Sequence, residues 1–358
     1  MTVPSQKAAP RLILPIQYLR GIAALMVVWF HGVEQVSGID AFFPVHIGNA
    51  GVDLFFVISG FIMVVTTRHA TMTPLEFMRR RVLRIVPLYW LLTLLMVAVA
   101  LCMPSLFRTL LVEPGTLVQS LLFIPHYSHS FPDRVWPLLV PGWSLNYEMF
   151  FYLLFAASLA LPGRARLPAL VLAMLALAGI GMAAGPFENA CAQTFTSPLL
   201  LLFVSGALLG AWWLHHRREP PVALAVLLIV AGTALLLMPQ MSLLGGYQQL
   251  AGATLVVGGS LHGRFAGWKN RVLQAIGDSS YSLYLTHIFT LGVVRLVWNH
   301  LVPVTQTWQA ATAFMVLATG VSAVVGVLSF RFVENPLLRR LGGIGAPRAA
   351  PASVVPQR

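Results

Sequence analysis

Residues 16–36 of the chain read IQYLRGIAALMVVWFHGVEQV. This run is apolar over roughly the 20 residues that an α-helix needs to cross the hydrocarbon of a bilayer. The ionisable side chains of Arg20 and His31 lie within it, and no small-residue cleavage site follows it. It is therefore predicted to be a retained membrane span rather than a cleaved signal peptide.

The composition of the whole chain indicates that its solvent is lipid. Of its 358 residues, 58% are hydrophobic and only 9% are charged, and the mean hydropathy is +0.79. Such a chain has too few polar groups to cover a globule in water. We predict an all-α membrane protein of about ten transmembrane helices, near residues 16–36, 50–66, 85–103, 142–161, 167–184, 197–214, 222–238, 244–262, 277–299 and 308–332.

The basic residues predict the orientation of the chain in the membrane. The formal charge of +12 would indicate nucleic acid as a partner of a soluble protein, but here Lys and Arg lie mainly between the apolar runs. With cytoplasmic termini, the inner side holds all of the 23 Lys and Arg residues except Arg108, Arg134 and Arg295, as the positive-inside rule requires. We predict a multi-pass protein of the bacterial inner membrane, surrounded by lipid and without a nucleic-acid partner.

Three parts are predicted along the chain. Residues 1–15 form a cytoplasmic N-terminal segment, and residues 16–340 form the transmembrane domain. Residues 341–358 are rich in Pro and Ala and are predicted to be a disordered cytoplasmic tail.

The longest predicted connection, residues 104–141, is expected to lie outside the membrane. Its segment 116–124 is apolar enough for a short re-entrant piece. His126 and His129 in this loop lack a third ligand at metal-binding spacing, so we interpret them as surface residues and predict no metal site.

Ionisable groups inside a membrane span are functional candidates, because burying them in lipid is costly unless they are paired or face water. Arg20 and His31 are separated by close to three helical turns, so they share one face of the first span about 16 Å apart. Glu34 follows His31 at the i+3 position of the same face.

Two carboxylates are expected near His31. Glu148 lies about 9 Å inside the outer end of the fourth span, and Asp53 lies just inside the outer end of the second. We expect the three side chains to converge on a pocket in the outer leaflet, where a neutral histidine can take a proton from a hydroxyl. The structural alternative is that His31 hydrogen-bonds to a neighbouring helix and Glu148 is a polar anchor.

Polar groups also mark the cytoplasmic ends of the spans. Arg81 and Arg84 face together if their helix begins early, and paired guanidiniums suit phosphate groups. A topology-setting contact with anionic lipid is the alternative, which the residues alone favour. Glu334 is expected to stabilise a basic neighbour, whereas His287 either lines a pathway or hydrogen-bonds across helices.

Five motifs carry a resemblance to a known family. They are QYLRGIAA at 17–24 with His31, GVDLFFVISGF at 51–61, RVLRIVPLYW at 81–90, WSLNYEMFFY at 143–152 and YSLYLTH at 281–287. In this order they resemble the acyltransferase-3 family of integral membrane acyltransferases over nearly the whole chain. The resemblance implies that His31 is catalytic, that it is paired with Arg20, and that Arg81 and Arg84 lie near acyl-CoA.

The opening motif is most similar to the exopolysaccharide-modifying branch of the family. That resemblance implies an O-acyltransferase that moves acetyl from cytoplasmic acetyl-CoA to a hydroxyl of an exopolysaccharide or another cell-surface glycan, lipid-linked and handled with polysaccharide-assembly proteins. No fused extracellular hydrolase-like domain is expected after the tenth span. The alternatives are acyl transfer to a small molecule or lipid headgroup, and a polar-solute transporter, although the chain lacks the two related halves typical of transporters.

Overall fold

The structure is a computed structural model that describes residues 13–36, 38–43, 48–68, 72–103, 111–216, 220–239, 247–302 and 307–342. Within these ranges every regular element is helical and no strand occurs, which confirms the predicted all-α class. The helices are α1 (Leu14–Val33), α2 (Asn49–Thr67), α3 (Pro74–Cys102), α4 (Pro114–Leu121), α5 (Gly142–Leu159), α6 (Gly163–Ala184), α7 (Ala190–Phe195), α8 (Leu200–His215), α9 (Val222–Leu237), α10 (Tyr247–Ser260), α11 (Gly263–Ala266), α12 (Arg271–Asp278), α13 (Ser280–Leu301), α14 (Trp308–Ser329) and α15 (Asn335–Arg340). Most of the two predicted terminal segments lies outside the described residues.

The predicted spans differ in how well their helices suit a bilayer. In the described part of the chain, six helical stretches are long and apolar enough to cross a membrane. They are Leu14–Val33, Ala50–Thr67, Pro74–Cys102, Gly163–Ala184, Ala190–His215 and Trp308–Arg340. Helices also occupy the other four predicted spans, but α9 and α10 are shorter, and α5 and α13 carry several polar side chains. Polar helices are tolerated at membrane depth where other helices surround them.

Helix α3 begins earlier than the predicted span at residue 85. The hydroxyl of Thr73 accepts a hydrogen bond from the backbone N–H of Glu76 at 3.2 Å, and Pro74 occupies the first turn, where its missing N–H costs nothing. The early start places Arg81 and Arg84 inside the helix, one turn apart. This is the condition under which the two guanidiniums were expected to face together.

Glycines bring α2 and α8 into direct backbone contact. A Cβ atom at Gly206 would lie 1.9 Å from the carbonyl oxygen of Val57, and one at Gly60 would lie 2.1 Å from that of Phe203. Small residues of this kind allow helices in membranes to approach closely without a hydrophobic driving force. The contact fixes the position of α2, which carries Asp53.

Helix α1 is held among α2, α12, α13 and α14. It approaches α12 closely, because a Cβ atom at Gly277 would lie 2.1 Å from the carbonyl oxygen of Gln17. Thus α1, with Arg20 and His31, is packed against several helices rather than lying at the edge of the bundle.

The described part of the 104–141 loop contains α4, which overlaps the apolar segment 116–124. The interpretation of His126 as a surface residue is wrong, because its side chain is buried and its Nδ1 lies 2.9 Å from the carbonyl oxygen of Ile124. The loop folds back on itself, which the spacing of its polar residues did not indicate. His129 is exposed, as expected, and lies 3.4 Å from Glu113.

Candidate active site

One cavity in the helix bundle, with a volume of about 140 Å³, is lined by arginines. The guanidiniums of Arg20, Arg81 and Arg84 share it with the carboxylate of Glu148 and lie among side chains from α2 and α13. We call it the arginine cavity. Because Arg81 and Arg84 line the same cavity, the expectation that they face together is confirmed.

Arg84 is paired with a buried carboxylate. Glu334 lies in a π-helical turn, Phe330–Glu334, is 1% exposed and forms an ion pair with Arg84. Its other oxygen accepts a hydrogen bond from the hydroxyl of Ser282 at 2.5 Å. The guanidinium of Arg84 also lies 5.5 Å from the ring centre of Tyr281. The prediction that Glu334 stabilises a basic neighbour is confirmed.

The other two arginines are less fully compensated. Arg81 lies over the rings of Phe77 and Tyr152, 5.3 and 5.8 Å from their centres. Arg20 donates to the side-chain oxygen of Gln17 at 3.4 Å. Neither forms an ion pair with a carboxylate in the described part of the chain. The arginine cavity therefore keeps a positive charge that an anionic group such as a phosphate can neutralise.

Glu148 is not where the sequence analysis expected it. Its Oε1 accepts hydrogen bonds from the hydroxyls of Tyr152 and of Ser59, the latter at 3.0 Å. Because both donors lie further toward the C-terminal ends of their helices, they hold the carboxylate in the arginine cavity. The expected convergence of Glu148 with His31 and Asp53 is wrong. Counting residues along the span predicted a depth in the membrane, but it could not predict the direction of the side chain.

A second, larger cavity of about 870 Å³ contains His31. We call it the histidine cavity. Its polar lining includes His31, Glu34, Asp53 and Arg134, and its aromatic lining includes Phe30, Trp136, Trp143, Tyr247 and Tyr284. The structure thus brings His31 and Asp53 to one cavity, as expected.

Glu34 is the carboxylate in contact with His31. The Nδ1 atom of His31 lies 3.1 Å from the Oε2 atom of Glu34, and the two side chains are 17% and 49% exposed. When Nδ1 carries the proton and donates to Glu34, Nε2 is left as the acceptor. A histidine held in this way can act as a general base or as a nucleophile.

The ring of His31 also rests on a second histidine. The rings of His31 and His287 are stacked, with centres 5.2 Å apart and planes inclined by 27°. His287 is fully buried, and its Nδ1 lies 2.6 Å from the carbonyl oxygen of Tyr284. Its Nε2 has no hydrogen-bond partner among the described residues. His287 takes neither of the two roles considered from the sequence, because it lines neither cavity and its hydrogen bond is to its own helix. Its stacking beside His31 was not predicted, since the two residues lie in distant motifs.

Two residues line both cavities and form a partition between them. They are Val52 of α2 and Tyr284 of α13. The hydroxyl of Tyr284 lies 2.7 Å from Oγ of Ser144 and donates to the carbonyl oxygen of Pro141 at 2.9 Å. Both residues lie within the motifs GVDLFFVISGF and YSLYLTH, but the sequence predicted no role for either. The partition separates the cationic cavity from the cavity that holds the histidine.

Comparison with known proteins places this arrangement in a family. The sequence model of the acyltransferase-3 family, described as an acyltransferase domain, matches residues 14–327. Exopolysaccharide production protein ExoZ of Rhizobium meliloti strain 1021 is 39% identical over 299 residues, which cover 82% of this chain and 90% of that protein. Protein 2 in the picA locus of Rhizobium radiobacter is 35% identical over 164 residues, or 40% of this chain and 81% of that protein. No solved structure matches the chain.

The family match is not confined to one motif. Its range includes all six site residues predicted from the sequence, His31, Glu148, Asp53, Arg20, Arg81 and Arg84, and both residues of the partition. Together with the apolar helices of the bundle, this range shows that the chain is a membrane protein belonging to the acyltransferase-3 family and is an acyltransferase.

Proposed function

We propose that the protein transfers an acyl group, acetyl in the first instance, from cytoplasmic acyl-CoA to a hydroxyl of an exopolysaccharide or related cell-surface glycan. The observation that carries this proposal is the pair of neighbouring cavities, one cationic and one holding a histidine, separated by Val52 and Tyr284. An anionic donor and a hydroxyl acceptor can occupy them at the same time without sharing one site.

The arginine cavity is proposed as the donor site. Coenzyme A carries several phosphate groups, and arginines bind phosphate through directed, charge-assisted hydrogen bonds. Of the three arginines that line this cavity, Arg20 and Arg81 form no ion pair among the described residues, so they are the first candidates for binding phosphate. Arg84 contributes from its pair with Glu334. In this proposal Glu148 offsets part of the positive charge of the cavity rather than supporting the base.

The histidine cavity is proposed as the acceptor site. It combines flat aromatic side chains, including Trp136 and Trp143, with the polar groups of Glu34, Asp53 and Arg134. Such a mixture of apolar faces and convergent polar groups, at this size, is typical of sites for small organic ligands, and it suits a sugar ring. The name of the Rhizobium meliloti relative, an exopolysaccharide production protein, supports a polysaccharide acceptor. We propose in addition that this acceptor is lipid-linked at the time of transfer.

His31 is proposed to activate the acceptor. Nε2 takes the proton of the sugar hydroxyl, whose oxygen attacks the thioester carbon, so that a carbon–oxygen bond forms while the carbon–sulfur bond breaks. The departing thiolate of coenzyme A then takes the proton. In the alternative route Nε2 attacks the thioester carbon and expels the thiolate of coenzyme A, which leaves a transient acyl-histidine. The hydroxyl then takes the acyl group from Nε2 and gives its proton to the thiolate. Glu34 stabilises the ring in its reactive tautomer in both routes, and Asp53 supports the acceptor from α2.

The proposed topology follows from the same distribution of charge. Ten spans with cytoplasmic termini in the bacterial inner membrane put the basic segments inside. Arg20, at the start of α1, and Arg81 and Arg84, early in α3, would then face the cytoplasm, where acyl-CoA is made. The histidine cavity, near the far end of α1, would face outward.

The experiment that tests this function follows labelled acetyl. Membranes that carry wild type, His31→Ala or Arg81→Ala are given radiolabelled acetyl-CoA and extracted lipid-linked glycan. Label on the glycan with wild type alone is the expected result. Equal labelling with His31→Ala would contradict the assigned base, and no labelling with any protein would exclude acetyl-CoA or this glycan as a substrate.

A further inference from the structure

The arginine cavity and the histidine cavity share only Val52 and Tyr284 among the described residues that line them. If the donor is held by arginines on one side and the acceptor is activated by His31 on the other, the acyl group must meet the acceptor at this partition. The shape of the partition should therefore determine which acyl groups can pass, rather than which coenzyme or sugar can bind.

The partition is held firmly on the side of Tyr284. Its hydroxyl is fixed by Ser144 and by the carbonyl oxygen of Pro141, both near the start of α5. Its ring meets the ring of Phe55 edge to face, with centres 5.8 Å apart. Tyr284 is 5% exposed. Moving this ring aside would break two hydrogen bonds and an aromatic contact.

Val52 forms the other side and is equally restricted. It is 7% exposed and is β-branched, so its side chain has one strongly preferred rotamer in a helix. Helix α2 cannot shift outward or inward easily, because Gly60 and Gly206 hold its backbone against α8. Neither side of the partition can yield without disturbing well-packed elements.

We propose that Val52 and Tyr284 form a size filter that admits an acetyl group and rejects longer acyl groups. This inference rests on the proposed function and names the determinant of its donor specificity. A pocket that discriminates by one methylene group does so by about 10-fold to 200-fold in kcat/KM. Because the partition is rigid, each added methylene should be penalised within this range.

The test uses purified protein in lipid vesicles with acetyl-, propionyl- and butyryl-CoA. Val52→Ala removes two methyl groups from the filter, and we expect the ratio of kcat/KM for butyryl-CoA to that for acetyl-CoA to rise at least 10-fold. Val57→Ala is the matched control, because Val57 is a fully buried valine on the same helix that lines neither cavity. It should leave the ratio unchanged.

A second variant covers the case in which Val52→Ala does not fold. Tyr284→Phe keeps the aromatic ring but removes the hydroxyl that holds it, and it should shift the same ratio in the same direction. A ratio that stays at the wild-type value in a folded Val52→Ala or Tyr284→Phe protein overturns the filter. The same experiment distinguishes this outcome from failure of the proposed function, because wild type would then transfer none of the three acyl groups.

Discussion

The buried ion pair between Arg84 and Glu334 allows a prediction in which stability and donor binding move in opposite directions. Glu334→Gln keeps the size of the side chain and its ability to accept from Ser282, but removes the negative charge. Breaking a buried pair by removing one partner costs about 3–5 kcal/mol, because the remaining charge is left uncompensated. The side chain of Arg84 is 31% exposed, so it retains some hydration, and we expect about 2–3 kcal/mol.

The same change should improve binding of coenzyme A. Without the negative charge of Glu334, the guanidinium of Arg84 is free to make one more charge-assisted hydrogen bond to a phosphate. At roughly 1.5 kcal/mol, this bond corresponds to about a tenfold lower Kd. Unfolding is measured by titrating the purified protein in detergent micelles with dodecyl sulfate, and affinity is measured by equilibrium binding of coenzyme A.

Glu76→Gln provides the matched control for this experiment. Glu76 is paired with Arg80 on the same helix, at 2.5 Å, but their side chains are 46% and 40% exposed. Exposed pairs contribute at most about 1 kcal/mol, and neither residue lines the arginine cavity. If Glu334→Gln were no less stable than Glu76→Gln and bound coenzyme A no better than wild type, the reasoning about Arg84 would be refuted.

Two further predictions concern the bundle and the histidine pair. Gly206→Ala would place a methyl group against the carbonyl oxygen of Val57, so this protein should fail to accumulate as a folded species in size-exclusion chromatography, whereas Gly320→Ala, with open space around it, should behave as wild type. His287→Ala should lower kcat at least 10-fold by removing the ring under His31, and His287→Phe should restore most of it. Activity equal to wild type in His287→Ala would show that the stacked ring has no positioning role.

Much of the fold could be predicted from hydropathy, because helices surrounded by lipid need apolar side chains. A helix in lipid must be apolar for most of its length, so the ten apolar runs each mark a helix. The early start of α3 was harder to predict, since Arg79, Arg80, Arg81 and Arg84 are polar and read as a loop. The hydroxyl of Thr73 and the ring of Pro74 begin the helix before hydrophobicity does.

The candidate site was predicted as residues but not as an arrangement. His31 and Asp53 were predicted to lie together because both were expected near the outer ends of their spans. Glu148 has a similar depth in sequence, yet the hydroxyls of Ser59 and Tyr152 turn it into the other cavity. No sequence pattern indicated the partition of Val52 and Tyr284, since a valine and a tyrosine are ordinary packing residues in a membrane span. Their position became apparent only from the two cavities that both residues line.

In the proposed reaction the acyl group passes from a donor on one face of the membrane to an acceptor on the other. The most direct test adds labelled acetyl-CoA to sealed inside-out vesicles that contain wild type or His31→Ala, followed by an added esterase. We expect label on the glycan with wild type only, and this label should resist the esterase until detergent opens the vesicles. Label that the esterase removes from intact vesicles would place donor and acceptor on the same face and contradict the account.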